Sequence, residues 1–271
     1  MSRYKSIKEI RLEESYLVVG WNKDTGKISQ KVVEFLNNAF SSEMIGELEQ
    51  KGFFSFSGVS VEDDIAQFPF SNFYYIRDKN LILFLSDQPD YKPYEFLNLV
   101  LDVSEKYFSV KEIYTVNGLI SLSPHTSVRK IYTVFNDRDF LDRLRGYDIE
   151  LLTWEGTPAI SSYLLWLAKE RCIPGMSLWT GIPFYLAPIE DYESLKVTIE
   201  FFDKRFNLNL KFDSLNELII KQNEKIRWLR DTDEEINDYI TQIENGQELD
   251  EERQLKLIKD VYEIFRGRVA L

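Results

Sequence analysis

The chain has little of what most catalytic and metal sites need, namely one histidine and one cysteine among 271 residues. A single cysteine excludes an intrachain disulfide, and this pair cannot form a zinc cage on its own. We therefore expect no metal site, no cofactor and no catalytic residue, although carboxylates alone could hold magnesium. In its mostly apolar context, we expect Cys172 to be a buried structural thiol in a reducing compartment.

Positive charge and long apolar runs are also scarce. The formal net charge is −12, and residues 231–252 hold ten acidic residues but no lysine or arginine. So acidic a chain is a poor candidate for nucleic-acid binding, which requires a basic face. The acidic stretch is interpreted either as a solvated helical face or as an arm that docks on a basic partner. No apolar run reaches about 18 residues and residues 1–14 do not resemble a signal peptide, so we expect a cytoplasmic protein without a membrane span.

The common nucleotide and hydrolase motifs are missing. In the loop from Gly20 to Lys27, five residues separate Gly20 from Gly26, where a phosphate loop needs four, and Ile28 stands where a hydroxyl would bind magnesium. No Gly-x-Gly-x-x-Gly and no Gly-x-Ser-x-Gly occurs. Whether the protein is an enzyme is therefore left uncertain, with a non-enzymatic role favoured.

What the chain does have is an alternation of apolar strand patterns with amphipathic helices between residues 16 and 206. This pattern predicts an α/β fold: a layered, largely parallel or mixed sheet with helices on both faces. The predicted strands are Tyr16–Trp21, a hairpin of Phe73–Arg77 and Leu81–Ser86, Glu112–Val116, Lys130–Phe135, Ile149–Trp154 and 176–180. The predicted helices begin at Ile28, Tyr94, Asp137, 158 and 190.

The C-terminal part has a different pattern. Apolar residues recur at steps of four and three from Leu215 to Ile243, Asn245-Gly246 reads as a helix stop, and Asp250 can cap a last helix. We predict an α/β domain over residues 1–212 and a C-terminal helical hairpin over residues 213–271. The hairpin packs on its own body or pairs with another chain.

Polar and aromatic residues follow several predicted strands. Because loops at the carboxyl ends of parallel strands form the usual ligand edge of such sheets, these residues are the candidates for ligand binding. They are Trp21, Asn117, His125, Thr126, Glu155, Gly156 and Trp179. His125 could instead hydrogen-bond its own loop, and Glu155 could simply favour the dipole at a helix N-terminus.

Four segments resemble a known family when taken in order: YLVVGW from Tyr16, SPHTS from Ser123, GTPAISSYLLWLAKERCIPGMSLW from Gly156, and GIPFYLA from Gly181. Together they resemble the proteasome assembly chaperone family, type two, over about residues 16–220. The resemblance implies an α/β fold akin to nucleoside phosphorylases, self-association and protein binding without ATP. The chain departs from the family at two positions, where Ser127 replaces a frequent arginine and Phe184 a frequent histidine.

Two hypotheses follow. The first is a cytoplasmic, non-enzymatic, ATP-independent binding or assembly-chaperone-like factor that forms homo-oligomers and contacts proteins through its helical tail and aromatic loops. Residues 53–75 are dense in aromatic side chains, which serve either as core or, where exposed, as an interface. The alternative is a nucleoside-type small-molecule binder or enzyme that uses the loop edge near Trp21, Asn117, His125 and Glu155.

Overall fold

The computed structural model describes residues 3–55, 60–62, 65–153 and 155–266. Within these residues it contains eleven strands and eight α-helices. The strands are β1 (Tyr4–Ser6), β2 (Ser15–Trp21), β3 (Glu43–Leu48), β4 (Ser60–Glu62), β5 (Ile65–Gln67), β6 (Ser71–Ile76), β7 (Leu81–Ser86), β8 (Val110–Ser121), β9 (Ile131–Phe135), β10 (Glu150–Leu151) and β11 (Gly175–Pro183). The helices are α1 (Ile28–Phe40), α2 (Pro93–Phe108), α3 (Arg138–Arg143), α4 (Ile160–Glu170), α5 (Tyr192–Phe206), α6 (Asp213–Thr232), α7 (Glu234–Glu244) and α8 (Glu251–Phe265).

Nine of these strands form one sheet, in the order β1-β3-β6-β7-β2-β8-β11-β9-β10, and β4 pairs with β5 separately. Strand β2 is parallel to both β7 and β8, whereas β1, β3, β6 and β7 pair antiparallel in succession. The sheet is therefore mixed, and the predicted α/β class is confirmed. The predicted hairpin is also present: Ile76 pairs with Leu81, and Asn80 adopts the left-handed conformation in the turn between them.

The chain forms two compact units. The first comprises residues 1–23, 29–117 and 133–178, and the second comprises residues 24–28, 118–132 and 179–271. The predicted division into an α/β domain over residues 1–212 and a helical extension over residues 213–271 rests on the change of sequence pattern and stays a prediction.

In the first unit, alternate residues of β2 face opposite layers of helix. Leu17, Val19 and Trp21 join a core that includes residues of α2 and α4. On the other face, a Cβ on Gly20 would lie 2.9 Å from the carbonyl oxygen of Ser29 in α1, so only glycine permits this close packing. Helices therefore cover both faces of β2. Because successive side chains of a strand point to opposite faces, this explains why nearly every residue of β2 is buried.

Aromatic side chains fill much of the same core. The Phe73 and Phe84 rings lie 4.5 Å apart, and Phe53 lies 5.1 Å from Phe96 in an edge-to-face contact. Phe68 differs, since its side chain is exposed. The aromatic-rich segment is thus mainly core within the described residues; Phe56 lies outside them.

In the second unit, the C-terminal helices pack on their own chain. Helix α6 contacts α5, α7 and α8. The buried side chain of Gln222 donates to the Glu190 carbonyl over 2.6 Å and accepts from the Tyr192 amide over 3.2 Å. The tail therefore packs on its own chain, and pairing with another chain stays a prediction.

The tail has three helices where the heptad pattern predicts two. The helix predicted from Leu215 to Ile243 is divided at Asp233, whose carboxylate accepts from the amides of Glu235 (3.0 Å) and Ile236 (3.1 Å) and so caps α7. Aspartate is a favoured N-cap residue, and its competition for backbone amides explains the break in an otherwise continuous apolar stripe.

Two further expectations need correction. Cys172 is exposed rather than buried, because it follows the end of α4 in the left-handed region (φ 57°). The strand predicted over Ile149–Trp154 is reduced to β10, and Trp154 lies outside the described residues.

Candidate functional site

The best-defined polar site in the second unit is the loop between β8 and β9, which contains His125 and Thr126. Its anchor is Arg129, whose Nε donates to Asp191 Oδ2 over 2.8 Å and whose Nη2 donates to Oδ1 over 3.2 Å. The Arg129 and Asp191 side chains are 5% and 1% exposed. The Ser194 hydroxyl also donates to Asp191. Such a bidentate, desolvated pair holds its partners in one geometry.

The same guanidinium ties the loop backbone to the pair. Arg129 Nη1 donates to the carbonyl oxygens of His125 (3.0 Å) and Ser127 (2.7 Å). Asp191 directly precedes α5, where the positive end of the helix dipole favours a carboxylate. The loop is therefore held by charge-assisted hydrogen bonds at its C-terminal end.

His125 is held by Tyr185. The Tyr185 hydroxyl oxygen accepts from the His125 amide over 2.6 Å and lies 2.8 Å from His125 Nδ1. The direction of the hydrogen bond between this hydroxyl and Nδ1 depends on the tautomer of the imidazole, because the phenol can donate or accept. Burial, followed by the charge of Arg129, lowers the pKa of His125 to about 4, and burial raises the pKa of Tyr185.

The helical tail contacts this loop through a second ion pair. Thr126 Oγ1 donates to Glu244 Oε1 over 3.2 Å, and Glu244 accepts from Arg230 Nη1 and Nη2 over 2.8 and 3.0 Å. Burial raises the pKa of Glu244, but the hydrogen bond and charge of Arg230 outweigh it and leave that pKa below its usual value. The loop is thereby connected to both α6 and α7.

Beside the loop lies a cavity of about 230 Å³. Hydroxyl groups and cations line it together with an apolar wall; its lining comprises Ser121, Ser123, Ser127, Val128, Arg129, Lys130, Tyr132, Gly181 and Pro183. This lining offers hydrogen bonds to a small polar ligand.

Aliphatic side chains in the loop and at the end of β8 are exposed to solvent. Ile120 in β8, and Leu122 and Val128 in the loop, are 58%, 52% and 83% exposed. We call these three residues the aliphatic loop patch. Contiguous exposed apolar surface is typical of sites that bind another protein.

In the first unit, Trp21 and Asn117 belong to a buried network. Trp21 Nε1 donates to Ser161 Oγ over 3.0 Å, and that hydroxyl donates to Asn117 Oδ1 over 2.8 Å. The Asn117 amide in turn donates to Ser177 Oγ (2.9 Å) and to the Leu178 carbonyl (3.2 Å). The polar groups of both candidates are thus used inside the protein, and ligand contact by them stays a prediction.

The remaining candidates occupy other positions. Glu155 and Gly156 are exposed in the segment before α4, and Trp179 is half-buried within β11. Asn117 lies inside β8, which extends beyond the predicted end at Val116, and Trp179 lies inside β11, within the predicted strand 176–180. The structure thus joins Trp21 to Asn117 through Ser161 and places His125 beside Thr126.

Among residues 3–55, 60–62, 65–153 and 155–266, no group of three or more histidine, cysteine or acidic side chains could hold a metal ion. In the same ranges, no helix has the length and apolar character needed to cross a membrane.

A family model described as the PAC2 family matches residues 17–229, well over half of the chain. The protein belongs to the PAC2 family. This confirms the resemblance carried by the four sequence segments, and the match extends into α6 of this PAC2 family protein.

Solved structures with the same fold include homologues of assembly chaperones. A proteasome-assembly chaperone homologue from Mycobacterium tuberculosis is 15% identical, with a TM-score of 0.71 over 83% of this chain and 99% of that one. A Pyrococcus furiosus archaeal proteasome activator is 18% identical, with a TM-score of 0.67 over 85% and 100%. A Corynebacterium glutamicum protein of unknown function is 15% identical, with a TM-score of 0.75 over 98% and 99%. No curated protein matches the chain.

Sequence reasoning missed the residues that hold the PAC2 protein's loop in place. Arg129 lies 62 residues before Asp191, and His125 lies 60 residues before Tyr185, so no local pattern links these partners. The one signal in the sequence was the position of Arg129, a cation directly between a polar loop and an apolar strand. Ser161 was likewise hidden, since its role depends on packing against β2 and β8.

Proposed function

We propose that this PAC2 family protein is a non-enzymatic, ATP-independent protein-binding factor of the assembly-chaperone type. It works in the cytoplasm and associates with copies of itself. The observation that carries the proposal is the aliphatic loop patch, which is displayed on a backbone fixed by the buried pair of Arg129 and Asp191. A fixed apolar surface binds without the entropy cost of ordering a flexible loop.

The structural relatives support the same role. One is named a proteasome-assembly chaperone homologue and another an archaeal proteasome activator. Both names describe proteins that act on other proteins. The chain's net charge of −12 favours a protein partner over a nucleic acid.

Self-association is tested by size-exclusion chromatography with light scattering. We expect the unaltered chain to be a homo-oligomer at micromolar concentration and Val128→Asp with Leu122→Asp to shift it toward the monomer, because a carboxylate in an apolar interface is desolvated without a partner. Leu255→Asp is the matched control, since Leu255 is 59% exposed on α8 outside the loop. The proposal would be contradicted if the unaltered chain were a monomer, or if the control variant showed the same decrease in oligomer mass as the double variant.

Client binding and ATP independence are tested by affinity purification from the native host, with and without added ATP. We expect the same partner proteins to be retained in both conditions and lost with the Val128→Asp and Leu122→Asp variant. A requirement for ATP, or retention unaffected by the two substitutions, would exclude the proposed mode of binding.

A second candidate is a nucleoside-type small-molecule binder, and the observation that favours it is the hydroxyl-lined cavity of about 230 Å³ beside the loop. Its serine hydroxyls and Lys130 suit a small polar ligand. Thermal-shift measurements with nucleosides test it, and Lys130→Gln should reduce any stabilisation. If no nucleoside raises the melting temperature, this candidate is excluded.

A further inference from the structure

A second and larger cavity lies in the first unit, remote in sequence from the loop site. Its volume is about 440 Å³, and it is lined by residues from the 4–12 segment and from 106–109 at the C-terminal end of α2. Ligand-binding cavities for small molecules begin at about 300 Å³, so this one has room for an organic ligand.

The floor of the cavity is aromatic. Tyr4 and Phe108 are buried, and the Tyr4 ring lies 4.7 Å from Tyr107 and 6.2 Å from Phe108. Ile10 and Leu12 add half-buried aliphatic surface that packs on the same core. A flat apolar group bound here would displace water and contact the aromatic rings. Aromatic groups prefer stacked or edge-to-face arrangements with each other.

The charged part of the lining is mostly positive. It consists of Lys8, Arg11 and Lys106 with one carboxylate, Glu9. Lys8 is paired with Glu43 of β3. Within the described ranges, neither Arg11 nor Lys106 has a carboxylate partner; the Lys106 ammonium lies 5.1 Å from the centre of the Tyr107 ring.

This local charge runs against the composition of the chain. The chain as a whole is acidic, with 45 acidic and 33 basic residues. Beside this cavity, two cations without a carboxylate partner create a local positive potential that attracts anions. Arginine binds carboxylate and phosphate groups bidentately, and lysine binds them as a point charge.

From these observations we propose that the cavity between residues 4–12 and the end of α2 binds a small organic anion. The ligand has a phosphate or carboxylate group held by Arg11 and Lys106, and a flat apolar body that rests on Tyr4, Tyr107 and Phe108. This inference is independent of the proposed protein-binding function, because it concerns other residues and another unit.

The test is calorimetric titration with adenosine monophosphate, phenyl phosphate and benzoate as probes. Inorganic phosphate and adenosine serve as controls that carry only one of the two recognised groups. We expect at least one aromatic anion to bind more tightly than both controls. Comparison of phenyl phosphate with benzoate shows which anionic group the cavity prefers.

Two variants locate the binding. Arg11→Gln with Lys106→Gln removes the cations of the cavity and should weaken binding roughly 10-fold or more. Lys51→Gln with Lys169→Gln removes the same charge from exposed positions outside the cavity lining and should leave binding unchanged. All four side chains are on the surface, so circular dichroism spectra should match that of the unaltered chain.

Three outcomes would overturn the inference. One is the absence of binding by any aromatic anion at millimolar concentration. Another is an equal loss of affinity in both double variants, which would indicate only a dependence on overall charge. A third is equal binding of adenosine and adenosine monophosphate, which would remove any role for the cations.

Discussion

At the residue scale, the buried pair of Arg129 and Asp191 is the contact on which the candidate site depends most. The two side chains take part in five hydrogen bonds. Two join Arg129 to Asp191, two join Arg129 to carbonyl groups of the loop, and one joins Ser194 to Asp191. Removing one partner of a buried pair leaves the other charge desolvated and unpaired, which is costlier than losing an exposed pair.

We therefore expect Arg129→Met to lower the free energy of unfolding by about 3–5 kcal/mol. The matched control is Arg145→Met, which removes an exposed pair with Asp142 and should cost less than about 1 kcal/mol. Urea denaturation followed by circular dichroism measures both. Equal losses in the two variants would show that the buried pair adds nothing beyond a surface contact.

His125 gives the protein a predictable response to acid. Its pKa in the folded state, about 4, is below the value near 6.5 expected in the unfolded chain. Between these values the unfolded chain binds more protons, so this contribution to stability is present above about pH 6.5 and is lost as the pH falls toward 4. The difference corresponds to about 3 kcal/mol.

Because His125 is the only histidine, NMR titration of its imidazole needs no assignment. We expect its midpoint near pH 4, and we expect the stability difference between the unaltered chain and His125→Asn to shrink by about 3 kcal/mol between pH 7 and pH 4. An imidazole that titrates near pH 6.5 would contradict the described burial and its contact with Tyr185.

At the scale of elements, the sequence predicted which segments form strands and helices better than where they end. Strand β8 was expected to end at Val116, with a loop beginning at Asn117. The structure uses Gly118 for close approach instead: a Cβ there would lie 2.0 Å from the Thr25 carbonyl oxygen. A glycine needed for packing and a glycine needed for a turn look alike in a sequence.

The acidic stretch of residues 231–252 also differs from a simple solvated face. Asp233 caps α7, Glu244 pairs with Arg230, and Glu235 pairs with Lys256 on α8. Several of its charges therefore serve contacts between the C-terminal helices. These pairs could not be predicted, since they depend on how the three helices pack, whereas the break at Asp233 reflects a local N-cap preference.

The cap at Asp233 is directly testable. Asp233→Ala should lower the free energy of unfolding by about 1 kcal/mol, because two amides at the start of α7 lose their acceptor. Asp231→Ala, in the last turn of α6, removes an acidic side chain from the negative end of a helix and should leave stability unchanged or slightly higher. Equal effects of the two substitutions in thermal denaturation would refute the capping role.

At the scale of the whole molecule, the C-terminal helices are an integral part of the second unit. Leu215, Ile226 and Leu229 of α6 are buried, and Gln222 satisfies backbone groups at Glu190 and Tyr192. Removing these helices would expose apolar side chains and remove the hydrogen bonds that Gln222 makes with those backbone groups.

A chain ending at residue 212 should therefore be less stable than the full-length protein and should bind the dye 8-anilinonaphthalene-1-sulfonate. Its melting temperature and dye fluorescence are compared with those of the full chain. A truncated protein with unchanged melting temperature and no added fluorescence would instead support residues 1–212 as a domain that folds independently.

Cys172 has a practical consequence for studying assembly. It is the only thiol of the chain and it is exposed. One nitroxide spin label per copy can therefore be attached to the natural sequence without mutagenesis. Pulsed electron paramagnetic resonance spectroscopy on such a sample would detect distances only between labels on different copies of the chain. Any measured distance distribution would therefore describe the geometry of the oligomer itself.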